Sequence, residues 1–320
     1  MALPAVVFAS KTVFGRSHYR ASRSAMCLYE SFSFALGVFN MTVKTNGTGF
    51  SPTRRGLLAV AAISTLTVPA FSMSSQLASN VSVEFRDIEA MTFDIQGTIV
   101  DYYTPFMRIS SGISKRRGLL IDWHTFLLDW IAGASATIQS VVGGTQAWIP
   151  AGQIYRQALD TVLDQRKLTD PIGEIERTEL MSVWVQMQPW HDSVEGIARL
   201  KRKFTVSALS NAGMAAVVSL SKRGGLDFDA VLTGELIHAY KPAPEVYRSA
   251  CAYLGFKPEQ IMMVAAHKWD LKAAKDAGFK TAFVPRPLET GPGGKVDIAA
   301  DASIDVFAAS LVDLARLAGV

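Results

Sequence analysis

The sequence predicts an α/β protein, a parallel sheet covered by helices, with a helical insert between the first strand and the rest. Three observations carry this. From Ser193 onward, short apolar runs alternate with helix-length amphipathic stretches, the pattern of strand–helix–strand units. The apolar runs are nearly continuous, as strands covered on both faces require. Residues 112–194 have a different texture, with few β-branched runs and long helical ones.

Taken in order, residues 89–93 read as a short buried strand that stops at Asp94, and Gly97 and Thr98 follow as turn residues. Within the insert, 119–131, 153–163 and 172–185 read as helices, broken by the loop at 141–145 and by Pro150. The alternation then runs helix 194–201, strand 204–209, helix 214–223, strand 230–232, helix 244–254, strand 261–266, helix 270–277 and strand 281–284. Gly224-Gly225, Gly255 and Gly278 close the helices. The domain limits expected are a core of 86–111 and 195–320 and a cap of 112–194.

Charge is unevenly placed along the 320 residues. Residues 1–72 hold seven Lys/Arg and one Glu, whereas 73–320 hold 25 Lys/Arg and 27 Asp/Glu. The basic balance therefore belongs to the leader. The remainder offers no excess of basic charge for nucleic acid, and none is expected as a partner. Cys27 and Cys251 fall on either side of residue 72, so no disulfide is expected within the folded part. The five histidines show no paired spacing, and no zinc site is expected.

In the leader, Arg54-Arg55 precede an apolar run from Leu57 to Phe71, and Ala70-Phe71-Ser72 presents small residues where a signal peptidase cuts. This resembles a twin-arginine (Tat) export signal, here 41–72 starting at Met41. Residues 1–40 are expected to be an upstream extension from a gene start placed too early; an uncleaved anchor or an organelle transit peptide are the alternatives. The location implied is periplasmic or secreted, with the Tat machinery as partner; the alternative is cytoplasmic.

Polar residues stand just past the ends of several segments: Asp94 with Thr98, Ser210 with Asn211, Lys241, and Asp270. Right-handed crossovers bring the carboxyl ends of parallel strands to one edge, where ligands bind. There Asp94 is a candidate nucleophile and Lys241 the cation that keeps it ionised. Ser210 and Asn211 can donate to a substrate carboxylate, and Asp270 can position Lys241, a water or a metal. Each also has a structural reading: a turn for Asp94 or Ser210-Asn211, a solvated loop lysine for Lys241, a helix N-cap for Asp270. Contact between Asp94 and Lys241 is the geometric test.

The order D-x-x-G-T, L-S-N, K-P-x-x-x-x-Y and a strand followed by W-D-L resembles that of the haloacid dehalogenase (HAD) superfamily. The segments Ala265-Ala266-His267 and 283–293 look like its type II (S)-2-haloacid dehalogenase branch, over about residues 88–320. The resemblance implies a Rossmann-like core with an inserted helical cap. It also implies attack of Asp94 on C2 of an L-2-haloacid with inversion, and hydrolysis of the aspartyl ester by water that Asp270 and Lys241 position. Thr98, Ser210 and Asn211 would hold the substrate carboxylate and ester oxygen, with Tyr247 and Gln96 beside the substrate. No cofactor or metal is implied, and a homodimer is common in such proteins.

Departures are informative. Superfamily phosphatases usually carry Asp as general acid where Gln96 stands, and dehalogenases usually Tyr. The halide-binding arginine follows an F-x-x-x-W pattern; Phe126 and Trp130 match, but the next residue is Ile131, leaving Arg108 or Arg156 as replacements. The alternatives are a Mg²⁺-dependent phosphatase of the same fold and an exported binding protein without turnover.

Overall fold

The structure, a computed structural model, describes residues 85–299 and 302–320. The leader, with its expected extension and export signal, lies outside the described residues.

Six parallel strands form the sheet, in the order β5-β4-β1-β6-β7-β8. They are β1 (Ala90–Phe93), β4 (Thr205–Ser210), β5 (Ala230–Thr233), β6 (Ile261–Ala265), β7 (Lys280–Phe283) and β8 (Val306–Phe307). β1 is central, in register with β4 (Phe93 opposite Ala208) and β6 (Phe93 opposite Val264). Alternation along β6 shows why the strands are apolar throughout. Met262 and Val264 enter one apolar cluster, and Ile261, Met263 and Ala265 enter the other. The second cluster is closed by Val246, Tyr247 and Ala250 of one helix and Leu271 and Ala274 of another. Each fully buried Phe or Met contributes about 1.5–3 kcal/mol.

The chain leaves and returns to the core through a two-stranded antiparallel neck, β2 (Val100–Asp101) against β3 (Gln188–Pro189). Between them lie α1 (Tyr103–Arg117), α2 (Trp123–Val142), α3 (Ala151–Gln165), α4 (Glu174–Met181) and α5 (Val183–Gln186). α1 packs on α2, α4 and α5, so it is a cap helix. The expected boundaries at 112 and 194 fall inside α1 and inside α6 (Ser193–Leu200). α2 begins later than the expected 119, because Asp122 caps it by accepting from Thr125 N at 3.1 Å. The helix expected over 172–185 is divided at Ser182.

The remaining helices are α7 (Met214–Gly224), α8 (Pro244–Leu254), α9 (Lys268–Asp276) and α10 (Leu311–Leu317). Pro244 starts α8, where a missing N–H costs nothing, and Gly255 ends it in the left-handed conformation. The short β8 and α10 extend the core beyond the elements expected from sequence; α10 packs on α6.

Candidate active site

β1 delivers Asp94 to the carboxyl edge of the sheet. Its backbone N–H still donates to Val264 O at 3.0 Å, so the ladder with β6 fixes the residue while its carboxyl projects past the strand. The turn that follows is closed by Gly97 N to Val100 O at 3.1 Å and Ile99 N to Ile95 O at 2.9 Å. Gly97 has φ +82°, and a Cβ there would collide with the Glu289 carboxylate. Glycine serves both the turn and the approach of that carboxylate.

The Lys241 ammonium, 1% exposed, donates to Asp94 Oδ1 at 3.0 Å and to Asp270 Oδ2 at 2.6 Å. This is the contact the sequence argument required. Tyr247 donates its hydroxyl to Asp270 Oδ1 at 2.7 Å. Asn211 brackets the lysine backbone, accepting from Lys241 N at 2.7 Å and donating to Lys241 O at 3.1 Å. Burial opposes the charge on Asp94, yet Lys241, His267 and Thr98 together hold its carboxyl well below the usual carboxylate range. Burial likewise opposes the Lys241 charge, but Asp270 and Asp94 outweigh it and raise the ammonium pKa. Asp270 is raised, by burial and by the nearby Asp94 charge, against the pull of Lys241.

A second chain of contacts reaches Asp94 from the other side. His267 Nδ1 lies 3.0 Å from Asp94 Oδ2 and its Nε2 lies 2.9 Å from Glu289 Oε1. Two ionised carboxylates only accept, so satisfying both requires the doubly protonated imidazolium. Its pKa is accordingly raised well above the ordinary value: burial opposes the charge, and the contacts to Asp94 and Glu289 overcome it. Tyr102 donates to the same Glu289 oxygen at 3.2 Å. Arg286, buried, donates to Thr98 O at 2.8 Å and to Asp192 Oδ1 at 2.8 Å, tying the nucleophile turn to the neck region. Sequence reasoning placed His267, Arg286 and Glu289 only within the segments that resemble the type II branch and gave none of them a role in the site. The available signal was position: His267 stands two residues beyond the end of β6, as Asp94 stands one beyond β1.

A cavity of about 570 Å³ opens above Asp94. Gln96, Tyr102, Asn211, His267 and Glu289 line its core side, and Ile131, Ile138, Tyr155 and Trp184 its cap side. Burial pushes the Tyr155 hydroxyl up to about 12, with Gln96 hydrogen bonding against the shift. The proposed arginine replacements are elsewhere. Arg156 is paired with Asp160 and Glu174, and Arg108 donates to Gln186 Oε1 at 2.8 Å. Neither lines the cavity.

Several expected roles need correction. The Thr98 hydroxyl has one hydrogen, donated to Asp94 Oδ2 at 2.7 Å, and it accepts from Ala266 N at 2.9 Å; it orients the carboxylate and is fully buried, so it does not hold substrate. Tyr247 is fully buried and spends its hydroxyl on Asp270. Ser210 is buried and does not line the cavity, with Oγ accepting from Ala212 N at 3.1 Å. Of the expected substrate-facing residues, Gln96 and Asn211 do line the cavity.

Among the described residues, no group of three or more His, Cys, Asp or Glu is arranged to hold a metal ion. Fold and site define an α/β protein with a capped cavity over a buried aspartate, the arrangement of a hydrolase working through a carboxylate nucleophile. The model of the haloacid dehalogenase-like hydrolase family matches residues 88–278, and the chain belongs to that family. It is 28% identical over 203 residues to (S)-2-haloacid dehalogenase 4A of Burkholderia cepacia, covering 62% of this chain and 84% of that one. The crystal structure of the L-2-haloacid dehalogenase PA0810 superposes with a TM-score of 0.67 at 33% identity, covering 72% of this chain and 97% of the other. A defluorinating L-2-haloacid dehalogenase gives 0.69 at 30% identity, with 73% and 96% covered.

Proposed function

We propose that the protein is a hydrolytic dehalogenase of 2-haloalkanoic acids that works through an aspartyl ester. The observation that carries this is Asp94 itself: a carboxylate at the floor of the cavity, kept ionised by Lys241 and aimed by Thr98. A lone pair of Asp94 forms the C–O bond at C2 while the carbon–halogen pair leaves as halide, inverting the centre. Water then attacks the ester carbonyl, and the hydroxyacid departs with restoration of the carboxylate. Lys241 stays on the acyl group as a donor for the oxyanion. The names of the relatives, dehalogenases of the same acid class, support the reading.

No added metal is required in this scheme. Both oxygens of Asp270 already accept hydrogen bonds, from Lys241 and from Tyr247. Gln96 has no acidic proton to give an alkoxide leaving group, which disfavours phosphate-ester hydrolysis; halide needs none. One observation favours a second reading, a binding protein without turnover. Ile131 lines the cavity where the resembled dehalogenases carry a halide-binding arginine. We propose export of the mature chain on the basis of Arg54-Arg55 and the apolar run after it.

The test is halide release by the purified protein from L-2-chloropropionate in the presence of a chelator, beside an Asp94→Asn control. Release that disappears in the control is the expected result. Absence of release from chloro- and bromo-substrates alike would overturn the dehalogenase reading in favour of the binding protein.

A further inference from the structure

We propose that His267, carried by Glu289, is the general base for hydrolysis of the Asp94 ester. The inference rests on the dehalogenase reading above and assigns its second step.

Three geometric facts lead to it. First, Asp270, the residue expected to handle the water, is fully buried, does not line the cavity, and has one oxygen on Lys241 and the other on Tyr247. It is sealed from the space where water would stand. Second, His267 lines that space, with 22% of its side chain exposed, and its Nδ1 lies 3.0 Å from the carboxyl group that becomes the ester. Third, Nε2 is fixed by Glu289, which is itself placed by Tyr102 and occupies the space a Cβ on residue 97 would take. The ring therefore presents one defined nitrogen to the reacting carbon, with the carboxylate behind it setting the tautomer.

The same geometry excludes the other obvious role for this cation. Displacement at C2 requires the halide to leave on the side opposite the attacking oxygen. His267 touches the nucleophile, so it lies on the attacking side and does not replace the arginine absent at Ile131.

The protons balance around one cycle. In the resting site His267 is an imidazolium between two carboxylates. Esterification neutralises Asp94, so the ring loses one of its two anionic partners and releases the Nδ1 proton through the cavity. Neutral His267, with Nε2–H held by Glu289, then accepts a proton from the water as its oxygen bonds to Cγ of Asp94. The tetrahedral intermediate collapses, the alkoxide of the hydroxyacid takes that proton from Nδ1, and the C–O bond to the product breaks. Asp94, left as the acid with an oxygen from water, returns its own proton to His267. The sum is haloacid plus water giving hydroxyacid, halide and one proton, the one released at His267.

The experiment separates the two chemical steps. Rapid-quench halide release and mass spectrometry of the Asp94 peptide are followed for the full-length protein and for His267→Asn, His267→Gln and Glu289→Gln, with an L-2-bromoalkanoate. Wild-type protein should show no ester build-up. The two His267 variants should release about one halide per site in a burst, accumulate the ester, and then turn over about 10²-fold or more slowly. Glu289→Gln should show the same pattern, about tenfold milder. A variant whose burst and steady-state rates fall together, with no ester, would show that His267 only aligns Asp94 and would overturn the proposal. Unchanged turnover in both His267 variants would overturn it equally. Absence of halide release by the wild type is a different result, and fails the dehalogenase reading itself.

Discussion

Replacing Lys241 by methionine tests the charge balance of the site. The substitution preserves length and most of the volume, and removes one positive charge at a position 1% exposed. It leaves Asp94 and Asp270, formerly bridged at 3.0 and 2.6 Å, as buried carboxylates without their shared cation. Breaking a buried pair in this way costs about 3–5 kcal/mol. At about 2–4 °C per kcal/mol for a fold of this size, Tm should fall by about 6–20 °C near neutral pH. The sign of the pH dependence is the sharper test. In the parent, Asp94 is held below the usual range, so its contribution is present above the unfolded pKa and is lost as pH falls through the folded one. In the variant Asp94 keeps His267 and Thr98 but loses Lys241, while Asp270, already raised by burial, loses its cation and rises further; a raised carboxyl favours folding only below its unfolded pKa. The Tm deficit should therefore be large at about pH 8 and clearly smaller at about pH 5. Thermal unfolding of parent and variant across that interval is the assay. A deficit independent of pH would show that Lys241 matters for packing and not for the charge of its neighbours. Halide release should fall in parallel by about 10²–10³-fold, because the variant lacks the oxyanion donor and the main cation beside the nucleophile.

Ile131→Arg places a guanidinium on the cap side of the cavity; if the halide departs there, kcat/KM for L-2-chloropropionate should rise about tenfold or more, the worth of a charged hydrogen bond. No rise, with folding intact by circular dichroism, would place the leaving group elsewhere. Gly97→Ala forces a Cβ into the left-handed region and onto Glu289. It should cost about 1–2 kcal/mol of backbone strain alone and slow ester hydrolysis by displacing Glu289, read as a lower Tm and ester accumulation.

Much of this site was legible because its first-recognised acids stand in the segments that follow apolar strands. Asp94 after β1 and Asp270 in the first turn of α9 are of this kind, and a parallel sheet brings such positions together. What sequence does not show is direction. Thr98 and Tyr247 are where the pattern put them, yet both hydroxyls face acids, not substrate. The His267–Glu289 pair was harder still. It depends on the segment after β7 folding back across the nucleophile turn, and no periodicity encodes that return. The neck strands β2 and β3 and the edge strand β8 are two residues each, too short for an alternation to register. α1 escaped notice for a related reason: only Pro105, Phe106, Ser110 and Ile113 of its 15 residues are buried, and the rest is largely polar.

The charge around Asp94 bears on which leaving group the site suits. Among the described residues lining the cavity, the acids are Asp94, Glu289 and Asp297, and the cations are His267 and Lys295. A phosphate dianion would enter a space in which carboxylates outnumber cations, and its alkoxide leaving group would find Gln96 where an acid is needed. A 2-haloacid brings a single negative charge and a neutral carbon to be attacked. A halide leaving toward Ile131, Ile138, Tyr155 and Trp184 would meet a wall that offers dispersion contacts and ring edges in place of a guanidinium. A polarisable bromide should tolerate that wall better than a small, strongly hydrated fluoride. The preference bromide over chloride over fluoride should thus be steeper in this protein than in its Ile131→Arg variant. Flattening of that series in the variant would tie the leaving group to the cap wall, and an unchanged series would break the link.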